Sequence, residues 1–297
     1  MKDFNVHVIL DRDYLEICYG SLENPMTQAL LELNIPFQIV HWRNRVFTEG
    51  FEVQNDNVIY GVVGSVSFCR NIGTILSSHV DMEKVFVLLP EQVKHYSNFS
   101  YMVSPELRLN KSGFMLPLGE IINQGVDGLK AITGYADGVF FKCDFGLKSA
   151  ESEFVAWSDL HRWMEYTLNK TGASKESYFW LFPKKHILKE FRLAVINNKV
   201  VSACQYMDFK ESKMYPTLSN LVPKEVYVIA EQTINQMQIP DDTYILDIAE
   251  TPEGFSMVEC NAISSSGWYC MDHMSLMKAL TAKVSQIAEV FLDDMLV

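Results

Sequence analysis

The stretch from Tyr244 to Ala262, YILDIAETPEGFSMVECNA, restricts the possible folds more than any other in the chain. It runs apolar like two buried strands around a Pro-Glu-Gly turn, yet it carries Asp247, Glu259 and Asn261 inside those strands. A strand that only had to pack would hold Val or Leu there. The Pro252–Gly254 loop fits a three-residue hairpin with Gly254 in the left-handed position. That register pairs Thr251 with Phe255 and sets Asp247 opposite Glu259. Both side chains then leave one face, with Asn261 two residues further on. Like charges directly opposite repel each other. A divalent cation is the simplest compensation, and two carboxylates with an amide oxygen suit Mg²⁺, which takes few protein ligands beside substrate phosphates. The alternative is a solvated face, or pairing with Arg192 and lysines.

The rest of the chain is that of a folded protein. Its 297 residues suit two or three compact lobes, and 48% hydrophobic with 21% charged residues is ordinary globular composition. A net charge of −12 argues against a nucleic-acid partner, because phosphate contacts need concentrated Lys and Arg. The six cysteines are scattered with no C-x-x-C pair, which predicts buried thiols in a reducing compartment. The N-terminus MKDFNVHVILDRDYL lacks an apolar signal core, and no stretch approaches the ~18–20 apolar residues of a membrane span. A cytoplasmic protein without a membrane partner is expected.

Along the chain, FNVHVIL (4–10), PFQIVHW (36–42), NVIYGVVGSV (57–66) and KVFVLLP (84–90) read as strands. ENPMTQALLELN reads as a helix with Asn24 as N-cap and Pro25 at its first position. Strand, helix, strand in this order predicts an α/β lobe over residues 1–95. A second unit over 96–183 holds the strand GVFFKCDFG (138–146), a helix from Trp157 to Asn169 and the aromatic segment SYFWLFP (177–183). A third, over 184–297, holds a hairpin around Asn197-Asn198, a helix after Pro223, the Asp247–Glu259 hairpin and a long amphipathic C-terminal helix.

Several motifs, in this order, resemble one family. DIAETPEGFSMVECN is similar to the C-terminal signature of ATP-grasp enzymes, and GVFFKCDFGLKSA to their strand-lysine-turn. ILKEFRLAVINNKVVSACQY resembles the Glu-x-Arg hairpin of the R2K clade of that superfamily, and GVVGSV the Gly-Ser strand end of the clade's N-terminal lobe. Cys143 stands where many relatives have proline, and Arg108 and Lys111 are candidates for an earlier phosphate contact.

The resemblance implies an ATP-grasp architecture of mixed α/β and α+β class, with an N-terminal α/β lobe and two α+β subdomains clasping ATP. It implies that Asp247, Glu259 and Asn261 hold Mg²⁺, while Lys142 and Lys148 reach the nucleotide phosphates. Trp180, Leu181 and Phe182 would offer backbone groups to adenine, and Glu190 would bind the ribose. Arg192 would stabilise charge during phosphoryl transfer. Ser264, Ser265, Ser266 and Gly267 would face the acceptor substrate. The expected activity is ATP-dependent ligation of a carboxylate to an amine or other nucleophile, free or at a peptide or protein terminus, through an acyl phosphate. A kinase on the same scaffold and a non-catalytic ATP-binding module are the alternatives. The sequence leaves the oligomeric state open.

Overall fold

The computed structural model describes residues 5–43, 46–49, 52, 58–79, 85–86, 106–144, 150, 152–209, 213–214, 221–236 and 242–294. They build three sheets in chain order.

The first sheet takes β1 (Asn5–Asp11), followed by α1 (Arg12–Tyr19) and α2 (Pro25–Glu32), then β2 (Phe37–Arg43), β3 (Val46–Glu49), β4 (Val58–Val63), α3 (Val66–His79) and β5 (Val85–Phe86). Its order is β3-β2-β1-β4-β5, parallel except for the β2–β3 pair. Asn24 caps α2 as the sequence predicts. Its side chain accepts from Met26 N and Thr27 N, and Thr27 Oγ1 accepts from Asn24 N to complete the box. The strand expected over 57–66 ends earlier, at Val63, because Gly64 and Ser65 turn the chain into α3. A Cβ at Gly64 would lie 2.4 Å from Asp11 Cβ, so only glycine allows this approach. Asp11 then accepts from Ser65 N and Oγ, joining the ends of β1 and β4. Of the KVFVLLP run, only Val85 and Phe86 fall within the described residues.

The second sheet is antiparallel, in the order β6-β9-β7-β8. It comprises β6 (Phe114–Pro117), then α4 (Leu118–Thr133), β7 (Gly138–Cys143), β8 (Glu153–Ala156), α5 (Leu160–Lys170) and β9 (Tyr178–Phe182). Phe141 stacks on Trp163 at 3.9 Å, and both meet the edge of Phe179, which fastens α5 to the sheet.

The third sheet is formed by β10 (Lys189–Ile196), β11 (Lys199–Asp208) and β12 (Lys213–Met214), then, after α6 (Lys224–Gln236), by β13 (Tyr244–Thr251) and β14 (Gly254–Asn261); α7 (His273–Asp294) follows. Its order is β12-β11-β10-β13-β14, antiparallel throughout. Asn197 and Asn198 both take positive φ, the turn their type favours. Side chains alternate along β10. Leu193 and Val195 pack with Val226 and Ala230 of α6, whereas Ala194 and Ile196 join a core with Leu10, Leu15 and Leu30 of the first sheet's layer and Leu276 of α7.

The β13–β14 hairpin reaches the expected pairing by another route. Thr251 pairs with Gly254, not Phe255, around a two-residue turn. The extra residue enters instead as a bulge at Val258, between the Ile248–Met257 and Asp247–Glu259 pairs. Asp247 and Glu259 therefore still face each other.

Candidate functional site

Arg192, Asp247 and Glu259 form a row across three neighbouring strands, since Arg192 pairs with Asp247 and Asp247 with Glu259 in the ladder. Asp247 has no exposed side-chain surface. Arg192 meets it with both arms of its fork, Nε to Oδ1 at 2.9 Å and Nη2 to Oδ2 at 2.8 Å. Arg192 Nη1 also donates to Gly267 O at 3.2 Å. The guanidinium lies over the Tyr206 ring at 4.5 Å and 5.4 Å from Tyr269, whose ring is parallel to that of Tyr206. Burial works against the charge on Arg192, but Asp247 outweighs it and holds the guanidinium well above its ordinary value.

Glu259 is reached from the second sheet. Lys142, at the end of β7, places Nζ 2.7 Å from Glu259 Oε2. Asn261 bridges the two acids, its Nδ2 donating to Glu259 Oε1 at 2.8 Å and to Asp247 Oδ2 at 3.2 Å. The chain thus resolves the repulsion of Asp247 and Glu259 with its own cations, the alternative that the sequence leaves open beside a metal.

The same donor set fits a magnesium ion by its chemistry. Two carboxylates meet and Glu259 keeps 26% of its side chain exposed, while Asn261 would turn its amide oxygen in place of Nδ2 to join them. Asp247 offers about four lone-pair directions, of which Arg192 takes two and Asn261 one. Among the described residues no three His, Cys, Asp or Glu side chains gather on one point, so any cation here would rest on two acids and an amide.

Glu190, two residues before Arg192 on β10, joins this cluster. It accepts a short hydrogen bond from Tyr206 OH. Burial pushes its carboxyl up to about 7; the Tyr206 bond opposes this, Asp247 and Glu259 add to it, and Arg192 opposes it.

The adenine expectation falls on β9. Trp180 and Leu181 lie inside β9 with partners on both sides, Met115 and Lys142 for Trp180, Phe114 and Phe141 for Leu181. Their main-chain groups are committed to the ladders. Among the described residues Phe182 has a ladder partner on one side, Phe140, and 183–188 follow without regular secondary structure. The Trp180 indole donates to Asp144 Oδ1 at 2.7 Å, and its ring stacks parallel to that of Phe182.

After Asn261 the chain turns back onto the first sheet. Ser264 is buried, and its carbonyl accepts from Gly64 N. Ser266 Oγ donates to Ala262 O, and its carbonyl accepts from Tyr14 OH at 2.6 Å. These two serines secure the loop, while Ser265 is half-buried. A Cβ at Gly267 would lie 2.6 Å from the Tyr269 ring, so any larger residue there would have to push the ring aside. Lys148 lies outside the described residues. Arg108 pairs with Met257 as an isolated bridge, and Leu107 and Leu109 bond to Met257 on either side of it, which brings this segment to the edge of β14.

The sequence reading missed Tyr14 and Tyr269. Tyr269 takes φ +45°, an unfavourable region for a bulky side chain, and this folds its ring back toward Arg192. Gly267, two residues earlier, leaves room for that ring and is the signal that points to it.

Three sheets in this order, with a strand-end lysine facing the Arg192–Asp247–Glu259 row, are the architecture of an ATP-grasp protein. Residues 145–283 match the model described as ATP-grasp domain, R2K clade family 3, and this part of the chain is an ATP-grasp domain of R2K type. The matched range contains Glu190, Arg192, Asp247, Glu259 and Asn261.

The fold is that of solved ATP-grasp ligases. D-cycloserine synthetase DcsG superposes with a TM-score of 0.62 at 12% identity, over 94% of this chain and 99% of that one. D-alanyl-alanine synthetase A from Vibrio cholerae gives 0.58 at 13%, over 97% and 99%. The ligase PsnB, complexed with precursor peptide PsnA2 and AMPPNP, gives 0.54 at 12%, over 96% and 99%. No curated protein sequence matches the chain. Among the described residues no helix is long and apolar enough to cross a membrane.

Proposed function

We propose that this protein is an ADP-forming ligase that joins a carboxylic acid to an amine or another nucleophile. The acid would take the γ-phosphoryl group of ATP, and the nucleophile would then displace phosphate from the acyl phosphate. The observation that carries this reading is the convergence of Lys142 and Arg192 on Glu259 and Asp247 across two sheets. Two fixed cations held by two acids form a preorganised field for a polyanion.

Lys142 reaches the site from a strand end and can exchange Glu259 for a phosphate oxygen without leaving its place. Arg192 is fixed by Asp247, Gly267 and the tyrosine rings. Three of its five N–H groups are committed to protein acceptors, which leaves two to meet a transferring phosphoryl group. Asp247, Glu259 and Asn261 would hold Mg²⁺, which neutralises phosphate charge when bound. Phe182 and the segment after it would carry the adenine edge. The loop 264–267 and the adjoining α1 would border the acceptor.

Among the fold-mates are a D-cycloserine synthetase, a D-alanyl-alanine synthetase and PsnB, which is complexed with a precursor peptide. A small acid with an amine, or a peptide, is the substrate class that this reading takes from them. A second reading, a nucleotide-binding module without turnover, is favoured by the charge balance that the chain reaches on its own. Incubation with Mg-ATP, a panel of amino acids and peptides, and hydroxylamine separates the two. Ligase chemistry predicts ADP release with hydroxamate formation on at least one acid, lost in Lys142→Met. Nucleotide binding with no ADP on any acid supports the module.

A further inference from the structure

We propose that Cys204 and Cys270 form a site of reversible oxidation, a dithiol that closes to a disulfide when a hydroperoxide reaches it. Cys204 lies on β11 and is fully buried, whereas Cys270 follows Tyr269 and is half-buried. The two thiols are near enough for each to bear on the other's ionisation. The segments carrying them also cross reciprocally, with Cys204 Sγ 3.9 Å from Trp268 O and Cys270 Sγ 3.8 Å from Gln205 O. These reciprocal contacts bring two thiols from segments remote in sequence side by side, the arrangement from which a ~2 Å sulfur–sulfur bond can form.

Their surroundings divide the work. Cys204 draws the Cys270 thiol below its ordinary value, while Cys270 and burial push Cys204 up. The thiolate is the nucleophile, so Cys270 attacks the peroxide. The O–O bond breaks, Cys270 becomes a sulfenic acid and one water leaves. Cys204 sulfur then displaces the sulfenic oxygen, which departs with the Cys204 proton as a second water. Two thiols and one hydrogen peroxide thus give one disulfide and two waters, the sulfurs losing the two electrons that the peroxide gains. Three of the other four thiols are raised by burial. Burial pushes Cys69 up to about 12 and Cys260 well above its ordinary value. Cys18 is also pushed up by burial, and its side-chain hydrogen bond is with Tyr14.

The bond would fall beside the candidate site. Tyr269 precedes Cys270, Tyr206 lies two residues after Cys204, and both rings flank Arg192. The reduced full-length chain is treated with a small excess of hydrogen peroxide, alkylated, digested and analysed by mass spectrometry. The expected product has lost about 2 Da, carries a peptide cross-link between Cys204 and Cys270, and reverts with dithiothreitol. Cys204→Ser should stop at a dimedone-reactive Cys270, and Cys270→Ser should give no cross-link. Cys270 over-oxidised without a cross-link in the wild type, a cross-link through Cys18, or six alkylated thiols after treatment would each overturn the proposal. None of these readouts involves nucleotide, so the result is independent of the ligase reading.

Discussion

Lys142 Nζ sits 2.7 Å from Glu259 Oε2, and this one ion pair joins the second sheet to the last strand of the third. The lysine side chain is 9% exposed and the glutamate 26%, so water screens the pair only on one side. Lys142→Met should destabilise the fold by about 1–3 kcal/mol, the cost of removing a charged hydrogen-bond partner from a half-buried acid. Urea denaturation measures it. The double variant with Glu259→Gln should recover part of the loss, because the two positions are coupled.

Arg192 and Asp247 are a buried pair, and such pairs are costly to halve. Arg192→Met leaves the Asp247 carboxylate without its fork and should cost about 3–5 kcal/mol. Arg192→Met with Asp247→Leu should be close to wild type in denaturation midpoint, since neither charge is then stranded. Equal destabilisation of the single and double variants would contradict the pairing.

Glu190 makes stability depend on pH in a defined direction. Its carboxyl titrates near 7 in the folded chain, above its ordinary 4.5, so the folded state holds the proton more tightly than the unfolded one. The contribution is complete below about 4.5 and is lost as pH rises through about 7, at most about 3 kcal/mol. Glu190→Gln should flatten the difference in stability measured without nucleotide between pH 5 and 7.5. An unchanged slope would show that Glu190 titrates normally.

Gly254 isolates a backbone effect. Its φ is +119°, and a Cβ there would meet nothing within 4 Å. Gly254→Ala should therefore lower stability by about 1–3 kcal/mol through strain alone, with the Asp247–Glu259 register kept by the bulge further along. Thermal unfolding and nucleotide binding, measured together, separate the two.

Local signals in the sequence were legible, and contacts between lobes were not. Asn24-Pro25 marked the start of α2 and Asn197-Asn198 marked a turn, because each encodes its geometry within a few residues. The Asp247–Glu259 pairing was legible from face alternation, although the turn was shorter than expected and a bulge at Val258 restored the register. A bulge leaves no compositional mark here, so its position could not be read. The partners of the acids were less accessible. Lys142 is 117 residues from Glu259, and only the docking of two sheets brings them together. The link role of Trp180, Leu181 and Phe182 came from the family resemblance, not from the residues themselves. β9 has ladder partners on both sides at Trp180 and Leu181.

The central claim is that Lys142, Arg192, Asp247, Glu259 and Asn261 form a magnesium–nucleotide site. Calorimetric titration of ATP with and without Mg²⁺, on the wild type and Glu259→Gln, tests it most directly. The account predicts binding that strengthens when magnesium is present and a loss of at least about tenfold in affinity in the variant, or about 1.4 kcal/mol. Equal affinity in both proteins, or no binding at saturating nucleotide, would contradict it and leave the row as an internal ion-pair network.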